Sequence, residues 1–133
     1  MIVVDTNIIS YLYITGDRSI QAERLFALDP HWTVPILWRS EFRSALSQYL
    51  RKQYLALEGV LLIIQQAEKI LKYNEYEVSS THIMQLVQSS KCSAYDCEFV
   101  ALAQSLDVPL ITADKNILKE FPDTAVSPDS YIN

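Results

Sequence analysis

Two short apolar runs, one near each end of the chain, each lead into an aspartate. Ile2-Val3-Val4 is followed by Asp5, and Leu110-Ile111-Thr112-Ala113 is followed by Asp114. Uniformly apolar runs of this length are typical of strands buried on both faces of a parallel sheet. Parallel strands need long crossover connections, and the intervening sequence has helical periodicity. We therefore predict an α/β fold, namely a three-layer α/β/α sandwich with a mainly parallel central sheet.

The intervening elements can be placed coarsely. Further strands are predicted at residues 32–34, 76–78 and 124–127. Helices are predicted from Ile8 onward and over residues 20–28, 36–53, 55–73, 82–89, 94–106 and 115–121. No linker, repeat or low-complexity segment interrupts the alternation, and a chain of 133 residues, half of them apolar, is long enough to bury one core. We expect a single domain spanning residues 1–133.

Two further acids interrupt the apolar stripes of predicted helices. Asp96 shares a helical face with Phe99, Val100 and Ala103, and Glu41 lies beside the stripe of the helix at 36–53. In open parallel sheets the functional crevice lies outside the carboxyl ends of the strands. Asp5 and Asp114 belong at that edge, and the helices that carry Glu41 and Asp96 can reach it. A buried carboxylate cluster is costly without a cation, so the four acids predict a metal site.

The ligand types indicate which metal and which chemistry. Oxygen ligands without paired histidines or cysteines favour Mg²⁺ or Mn²⁺ over zinc. Such ions activate water and neutralise charge on a scissile phosphate, so no protein nucleophile is required. His31 and His82 stand alone, and with two glycines in the whole chain neither a P-loop nor a G-x-G-x-x-G motif is present. The residues therefore favour a divalent-metal nuclease.

Each candidate residue also has a structural interpretation. Asp5 and Asp114 could be helix N-caps, and Glu41 and Asp96 could form ion pairs with Arg43 or a neighbouring lysine. Thr6 and Thr112 are cap or strand residues, or they orient a ligand carboxylate or a water. Asn7, Glu98 and Asn116 are interpreted as structural or solvated.

Charge and composition leave the partner open. The net charge of −5 speaks against a nucleic-acid ligand, but four basic residues cluster on the third predicted helix or just beyond it: Arg39, Arg43, Arg51 and Lys52. That cluster is either a binding surface or an ordinary solvated face. The apolar run at 60–64 predicts a helix segment buried all round, with a dimer or partner contact as the alternative.

Redox state and location follow from the remaining composition. Cys92 and Cys97 match neither a disulfide framework nor a common zinc spacing, so we expect reduced, structural thiols. No apolar run is long enough to cross a membrane, and the N-terminus has no basic region ahead of an apolar one. We expect a cytoplasmic protein without a membrane partner.

Four segments together resemble the PIN domain in order and spacing. They are Val3-Val4-Asp5-Thr6-Asn7-Ile8, Ser40-Glu41-Phe42, Tyr95-Asp96-Cys97-Glu98-Phe99-Val100-Ala101-Leu102-Ala103 and Pro109-Leu110-Ile111-Thr112-Ala113-Asp114-Lys115. Compact PIN proteins of this length are often VapC-like toxins of type II toxin–antitoxin modules. The resemblance implies a Mg²⁺-dependent RNA endonuclease, often a homodimer, that a cognate antitoxin inhibits. It also implies that Asp5, Glu41, Asp96 and Asp114 form the catalytic pocket, with Asp5, Asp96 and Asp114 as metal ligands.

Two departures and two competing hypotheses accompany this resemblance. Cys97 stands where the family often has alanine, and the acidic balance is unusual for an RNA-binding toxin. A non-catalytic PIN-like module that binds RNA or protein is the main alternative. A phosphotransfer or phosphatase domain on a similar sheet is less consistent, because Asn7 occupies the position where that class needs a second acid.

Overall fold

The structure is a computed structural model that describes residues 1–133, and its backbone alternates strands with helices. The five strands are β1 (Ile2–Val4), β2 (Trp32–Pro35), β3 (Glu75–Tyr76), β4 (Leu110–Ile111) and β5 (Ala125–Val126). The eight helices are α1 (Thr6–Tyr13), α2 (Ser19–Leu28), α3 (Trp38–Arg51), α4 (Leu57–Leu71), α5 (Ser80–Ser89), α6 (Ala94–Leu106), α7 (Lys115–Glu120) and α8 (Pro128–Ile132).

The strands form one parallel sheet in the order β3-β2-β1-β4-β5. The first strand lies at the centre, with Val3 paired to Thr33 on one side and to Leu110 on the other. Successive strand side chains point to opposite faces, and Ile2, Val3 and Val4 are all fully buried. Both faces are therefore covered, which confirms the predicted α/β sandwich with a parallel central sheet.

The helix that begins after residue 55 departs from the prediction. An apolar run at residues 60–64 predicts burial all round, but within that run only Val60 is buried, while Leu61 and Leu62 are exposed. The reason is that α4 packs against β2, α1 and α3 on one side only. That prediction was wrong, and the run places surplus apolar surface on the outside of the molecule.

Other differences are confined to element ends. The third strand occupies 75–76 rather than 76–78, and the short final helix α8, capped by the Ser127 side chain, was not predicted. The fifth strand is an edge strand at the predicted position. No helix is both long and apolar enough to cross a membrane.

The sheet topology gives the carboxyl ends of all five strands a common edge. Since β1 and β4 are adjacent and parallel, the residues that follow them emerge side by side there. A backbone hydrogen bond of 2.9 Å from the Asp5 N–H to the Ile111 carbonyl joins the two strand ends. Helices α1 and α7 begin at this edge, directly after β1 and β4.

Candidate functional site

Asp5 is the buried centre of the carboxyl edge. It ends β1 and caps α1, where its Oδ1 accepts a 2.8 Å hydrogen bond from the Thr6 N–H. Its Oδ2 accepts a hydrogen bond of 2.7 Å from the Thr112 hydroxyl and another of 3.4 Å from the Asn7 side-chain amide. The residue is only 8% exposed, so both carboxylate oxygens are held in place by neighbouring side chains and backbone.

Glu41 joins this edge from the first turn of α3. The Thr6 hydroxyl donates a 2.7 Å hydrogen bond to Glu41 Oε1. Thr6 therefore uses its backbone N–H for Asp5 and its hydroxyl for Glu41, so one residue orients two acids. The sequence left open whether Thr6 and Thr112 are cap residues or orient carboxylates, and in the structure both orient carboxylates.

Asp96 and Asp114 complete the set from the other side of β1. Asp96 lies in the first turn of α6, whose N-cap Ser93 accepts a 3.1 Å hydrogen bond from the Asp96 N–H. Asp114 caps α7. Its Oδ1 accepts a hydrogen bond of 2.8 Å from the Asn116 N–H and one of 3.1 Å from the Ile117 N–H. Both carboxylates thus sit at helix N-termini, where the helix dipole favours negative charge.

The charges of the four acids act on one another. Burial raises the pKa of Asp5 to about 6, against the lowering effect of its bonds to Thr112 and Thr6, and the charges of Asp96 and Asp114 raise it further. Burial likewise raises the pKa of Glu41, to which the Asp5 and Asp96 charges contribute. The pKa of Asp96 is raised by burial first and by Asp114 second. The structure therefore brings the four predicted acids into one electrostatic cluster.

No cationic side chain neutralises this cluster. The salt bridges of the protein join Met1 N to Asp29 and Arg39 to Glu68 and Glu75, all away from the four acids. The alternative in which Glu41 or Asp96 pairs with Arg43 or a lysine is therefore not realised. The N-cap interpretation of Asp5 and Asp114 is correct, but it explains neither the burial of Asp5 nor the repulsion between the two charges.

The cluster does not form a complete metal cage. No three His, Cys, Asp or Glu side chains are arranged so that they could jointly hold an ion. Mg²⁺ commonly keeps several waters and binds through one or two carboxylates, so this arrangement still suits Mg²⁺ or Mn²⁺ better than zinc, which needs three or four protein ligands. The available donor atoms are carboxylate and hydroxyl oxygens, without sulfur or imidazole, and this also favours Mg²⁺ or Mn²⁺ over zinc.

One acid close to the cluster was assigned a structural or solvated role from the sequence. The charge of Glu98 adds to the raised pKa of Glu41, and the pKa of Glu98 itself is raised by burial, although a hydrogen bond from backbone near Leu37 opposes this. Its position in the first two turns of α6 is the signal that could have identified it. The Asn116 N–H donates to the capping carboxylate of Asp114, and its side-chain amide donates to Cys92 Sγ at 3.6 Å, which agrees with a structural role.

Asn7 and the cysteines lie beside the site without joining it. The Asn7 amide donates to Asp5, whereas its Oδ1 is buried without a hydrogen-bond partner. Cys92 and Cys97 are buried free thiols, as predicted, and burial raises the pKa of both. They are therefore neutral structural groups rather than nucleophiles.

Comparison with known proteins gives relatives over nearly the whole chain. It is 27% identical over 124 residues to the Ribonuclease VapC3 of Pyrobaculum aerophilum, covering 91% of this chain and 95% of that protein. Among solved structures, PAE2754 from the same organism superposes with a TM-score of 0.78 at 14% identity, covering 98% of this chain and 92% of the other. A toxin–antitoxin complex from Klebsiella pneumoniae superposes with a TM-score of 0.70 at 22% identity, covering 96% of this chain and 98% of the other.

The structural likenesses, at low sequence identity, show that the fold is shared. The family is established by sequence, because the PIN domain model matches residues 2–123, which include all four acids of the cluster. The chain therefore belongs to the PIN domain family.

Proposed function

We propose that this protein is a metal-dependent endoribonuclease that hydrolyses RNA phosphodiester bonds at the acidic cluster. The observation that carries the proposal is Asp5, an 8% exposed aspartate among three other carboxylates that no cationic side chain neutralises. A protein retains such a cluster, which costs folding free energy, where a cation from solution is bound. PIN family membership and the likeness to a ribonuclease support the same conclusion.

The expected cofactor is Mg²⁺ or Mn²⁺, and its proposed ligands are Asp5, Asp96 and Asp114. Because no three of the acids are arranged to contact one ion together, one or two of these carboxylates would bind it directly and the rest through coordinated water. When bound, such an ion stabilises negative charge on the phosphate and acidifies water. The two oxygens of Asp5 already accept hydrogen bonds from Thr6 and Thr112, which fix the direction of their remaining lone pairs. Only Oδ1 of Asp114 is engaged in capping, so its Oδ2 is the oxygen proposed to face the ion.

Glu41 has a different proposed part. Its carboxylate is fixed by the Thr6 hydroxyl, and its raised pKa makes it a stronger proton acceptor than an ordinary glutamate. We assign it to orient and deprotonate the water that attacks the phosphate. Glu98, which acts on Glu41 through its charge, would strengthen that basicity without contacting the substrate.

The proposed biological setting is a toxin–antitoxin pair. The structural relatives include a toxin–antitoxin complex, and a second protein that covers the acidic edge would block RNA access. We further propose a homodimer, for which the exposed Leu61 and Leu62 of α4 offer apolar surface. A non-catalytic PIN-like module is the competing possibility, and the presence of all four predicted acids in one cluster speaks against it.

The decisive experiment incubates labelled total RNA with purified protein and Mg²⁺ or Mn²⁺, in parallel with EDTA. Asp5→Asn is the test variant. Asp123→Asn, which removes the same charge from an exposed residue outside the cluster, is its matched control. We expect metal-dependent cutting by the wild type and the control, and loss of at least a hundredfold in Asp5→Asn, comparable to losses seen when catalytic groups are removed.

The opposite outcomes are equally clear. Cleavage that survives in both Asp5→Asn and Asp96→Asn would show that the cluster is not the active site. A folded wild type that neither cuts RNA nor binds Mn²⁺ in calorimetry would establish the non-catalytic module instead.

A further inference from the structure

A surface depression at the C-terminal end of α3 has the composition of a single-stranded RNA contact. Its volume is about 300 Å³, and its lining residues are Ala45, Gln48, Tyr49, Lys52 and Tyr54. We call these residues the tyrosine cleft. Lys52 is the charged member, and the two tyrosines supply aromatic surface.

The tyrosine cleft lies on the same helical stripe as Glu41. At 100° per residue, Gln48 and Lys52 are each within about 20° of the direction of Glu41 around the α3 axis. At 1.5 Å per residue they lie roughly 10 Å and 16 Å along the helix from it. A strand of RNA positioned at the acidic cluster can therefore follow one face of α3 directly into the cleft.

The backbone after α3 is shaped to present Tyr54. Gln53 adopts a left-handed conformation with φ of 62°, which is unfavourable for a residue with a side chain. The turn is stabilised by hydrogen bonds of 3.0 Å and 3.3 Å from the N–H groups of Tyr54 and Leu55 to the Tyr49 carbonyl. It folds the Tyr54 ring back to an edge-on contact with Tyr49, centroid to centroid 6.3 Å, while leaving Tyr54 70% exposed.

A second depression, of about 280 Å³, continues the surface, because Tyr49 lines both. It is formed by the end of α1 and the following loop, where the Arg18 guanidinium lies 5.4 Å above the Tyr11 ring and Asp17 is the one acid. Helix α1 begins at Asp5 and packs beside α3, so both helices lead from the acids towards this aromatic and basic surface.

We propose that the tyrosine cleft binds the RNA strand a few nucleotides from the scissile bond, with a base stacked on Tyr54 and a phosphate paired with Lys52. The proposal rests on the nuclease function proposed above. Stacking on exposed aromatic rings together with basic groups is the usual means of holding single strands without sequence readout. The net charge of −5 does not exclude this contact, because Lys52 lies along the proposed path of the RNA, where a single positive charge can pair with a phosphate.

The test measures the affinity of a short, labelled single-stranded RNA of mixed sequence in EDTA, where cleavage is prevented. Tyr54→Ala is expected to weaken binding about tenfold, as loss of one stacked base does. Lys52→Gln is expected to weaken it severalfold and to lower the slope of log affinity against log salt by about 0.7, the loss of one phosphate contact. Tyr54→Phe keeps the ring and should bind as the wild type does.

The chain offers a matched control outside the cleft. Tyr73 is 87% exposed with the Lys72 ammonium 5.4 Å from its ring, so Tyr73→Ala and Lys72→Gln repeat the same chemical changes elsewhere. If all four single variants bind RNA alike, the cleft is not an RNA contact. If Tyr54→Ala instead converts a dimer to a monomer in light scattering, with RNA affinity unchanged, the cleft is an interface with a second copy and the proposal is overturned.

The cleavage assay separates this proposal from the broader one. One outcome is that the wild type cuts RNA in the presence of metal at the same rate as Tyr54→Ala and Lys52→Gln do. That result would support the nuclease function and show that the tyrosine cleft does not bind the substrate. A wild type that neither binds nor cuts RNA would overturn both.

Discussion

The Thr112 hydroxyl donates a 2.7 Å hydrogen bond to Asp5 Oδ2, joining two residues 107 positions apart at the ends of adjacent strands. The same hydroxyl oxygen accepts a 3.0 Å bond from the Asp114 N–H. One buried side chain therefore sets the position of two acids of the cluster. This contact connects the sheet topology to the proposed chemistry, because it exists only when β1 and β4 are paired in their observed register.

Thr112→Val is expected to lower the cleavage rate by about tenfold to a hundredfold, the usual effect of losing a residue that orients a ligand. Valine has the same shape but cannot donate to Asp5 or accept from Asp114, so we also expect a loss of about 1 to 3 kcal/mol in the free energy of unfolding. Thr112→Ser should restore most activity. Cleavage kinetics and urea unfolding on the three proteins measure both effects, and equal rates in all three would remove Thr112 from the site.

Asp5→Asn is expected to stabilise the protein in EDTA while it abolishes cleavage. Burial raises the pKa of Asp5 from its ordinary 3.8 to about 6, so keeping it ionised at neutral pH costs about 3 kcal/mol of folding free energy. Asparagine removes the charge and its oxygen can still accept from the Thr6 N–H, but its NH₂ group cannot accept from the Thr112 hydroxyl. The expected gain is therefore smaller than the cost of the charge by about 1 kcal/mol, the usual net worth of one hydrogen bond. Urea unfolding at neutral pH measures the gain, with Asp123→Asn as the charge-matched control. A destabilised Asp5→Asn would mean that the carboxylate is a structural cap and little more.

Sequence analysis finds the acids at strand ends and helix starts because those positions follow from local patterns. Asp5 and Asp114 each end an apolar run, and Asp96 shares its helical stripe with core residues. The threonine contacts are different, since Thr6 to Glu41 and Thr112 to Asp5 depend on which elements become neighbours. Patterns within single segments do not show which elements pair. They predict only that residues after parallel strands meet at the carboxyl edge of the sheet.

The surroundings of Leu61, Leu62 and Glu98 also depend on packing that periodicity does not show. Leu61 and Leu62 belong to an apolar run, but their exposure depends on the single-sided packing of α4. Glu98 is two positions from Asp96 and so lies on a different face of α6, yet its charge, like that of Asp96, acts on Glu41 of α3. The prediction for residues 60–64 was wrong because an apolar run was assigned burial on every face, while tertiary packing decides which faces of a helix meet the core.

Divalent metal is expected to stabilise the wild type against heat. Binding to the folded state at ten times the dissociation constant adds about 1.4 kcal/mol, which corresponds to a rise of roughly 5 °C in Tm for a chain of 133 residues. Asp5→Asn and Asp96→Asn should lose most of this rise, because each removes a proposed ligand, and Asp123→Asn should keep it. Thermal unfolding with and without MgCl₂ measures the shift. The same shift in all four proteins would place the ion elsewhere, which would agree with the absence of a three-ligand cage.

The ion pair between Arg39 and Glu75 is expected to make stability depend on pH at the acidic end. Glu75 accepts from Arg39 Nε at 2.6 Å, from Arg39 Nη2 at 2.9 Å and from the Trp38 indole at 2.7 Å. The Arg39 bonds are the main reason that the pKa of Glu75 lies below its ordinary value of 4.5.

Because the folded protein disfavours protonation of Glu75, the stabilisation is fully present above the unfolded pKa and is lost as the pH falls through the lower folded value. Glu75→Gln should therefore destabilise by about 1 to 2 kcal/mol at neutral pH. Its free energy of unfolding should converge on that of the wild type once the pH is well below 4.5, the ordinary value. Urea unfolding from neutral to acidic pH measures the difference in stability, with Glu77→Gln at an exposed glutamate as the control. If Glu75→Gln is still less stable than the wild type at low pH, the Glu75 side chain stabilises the protein by its packing and geometry rather than by its charge.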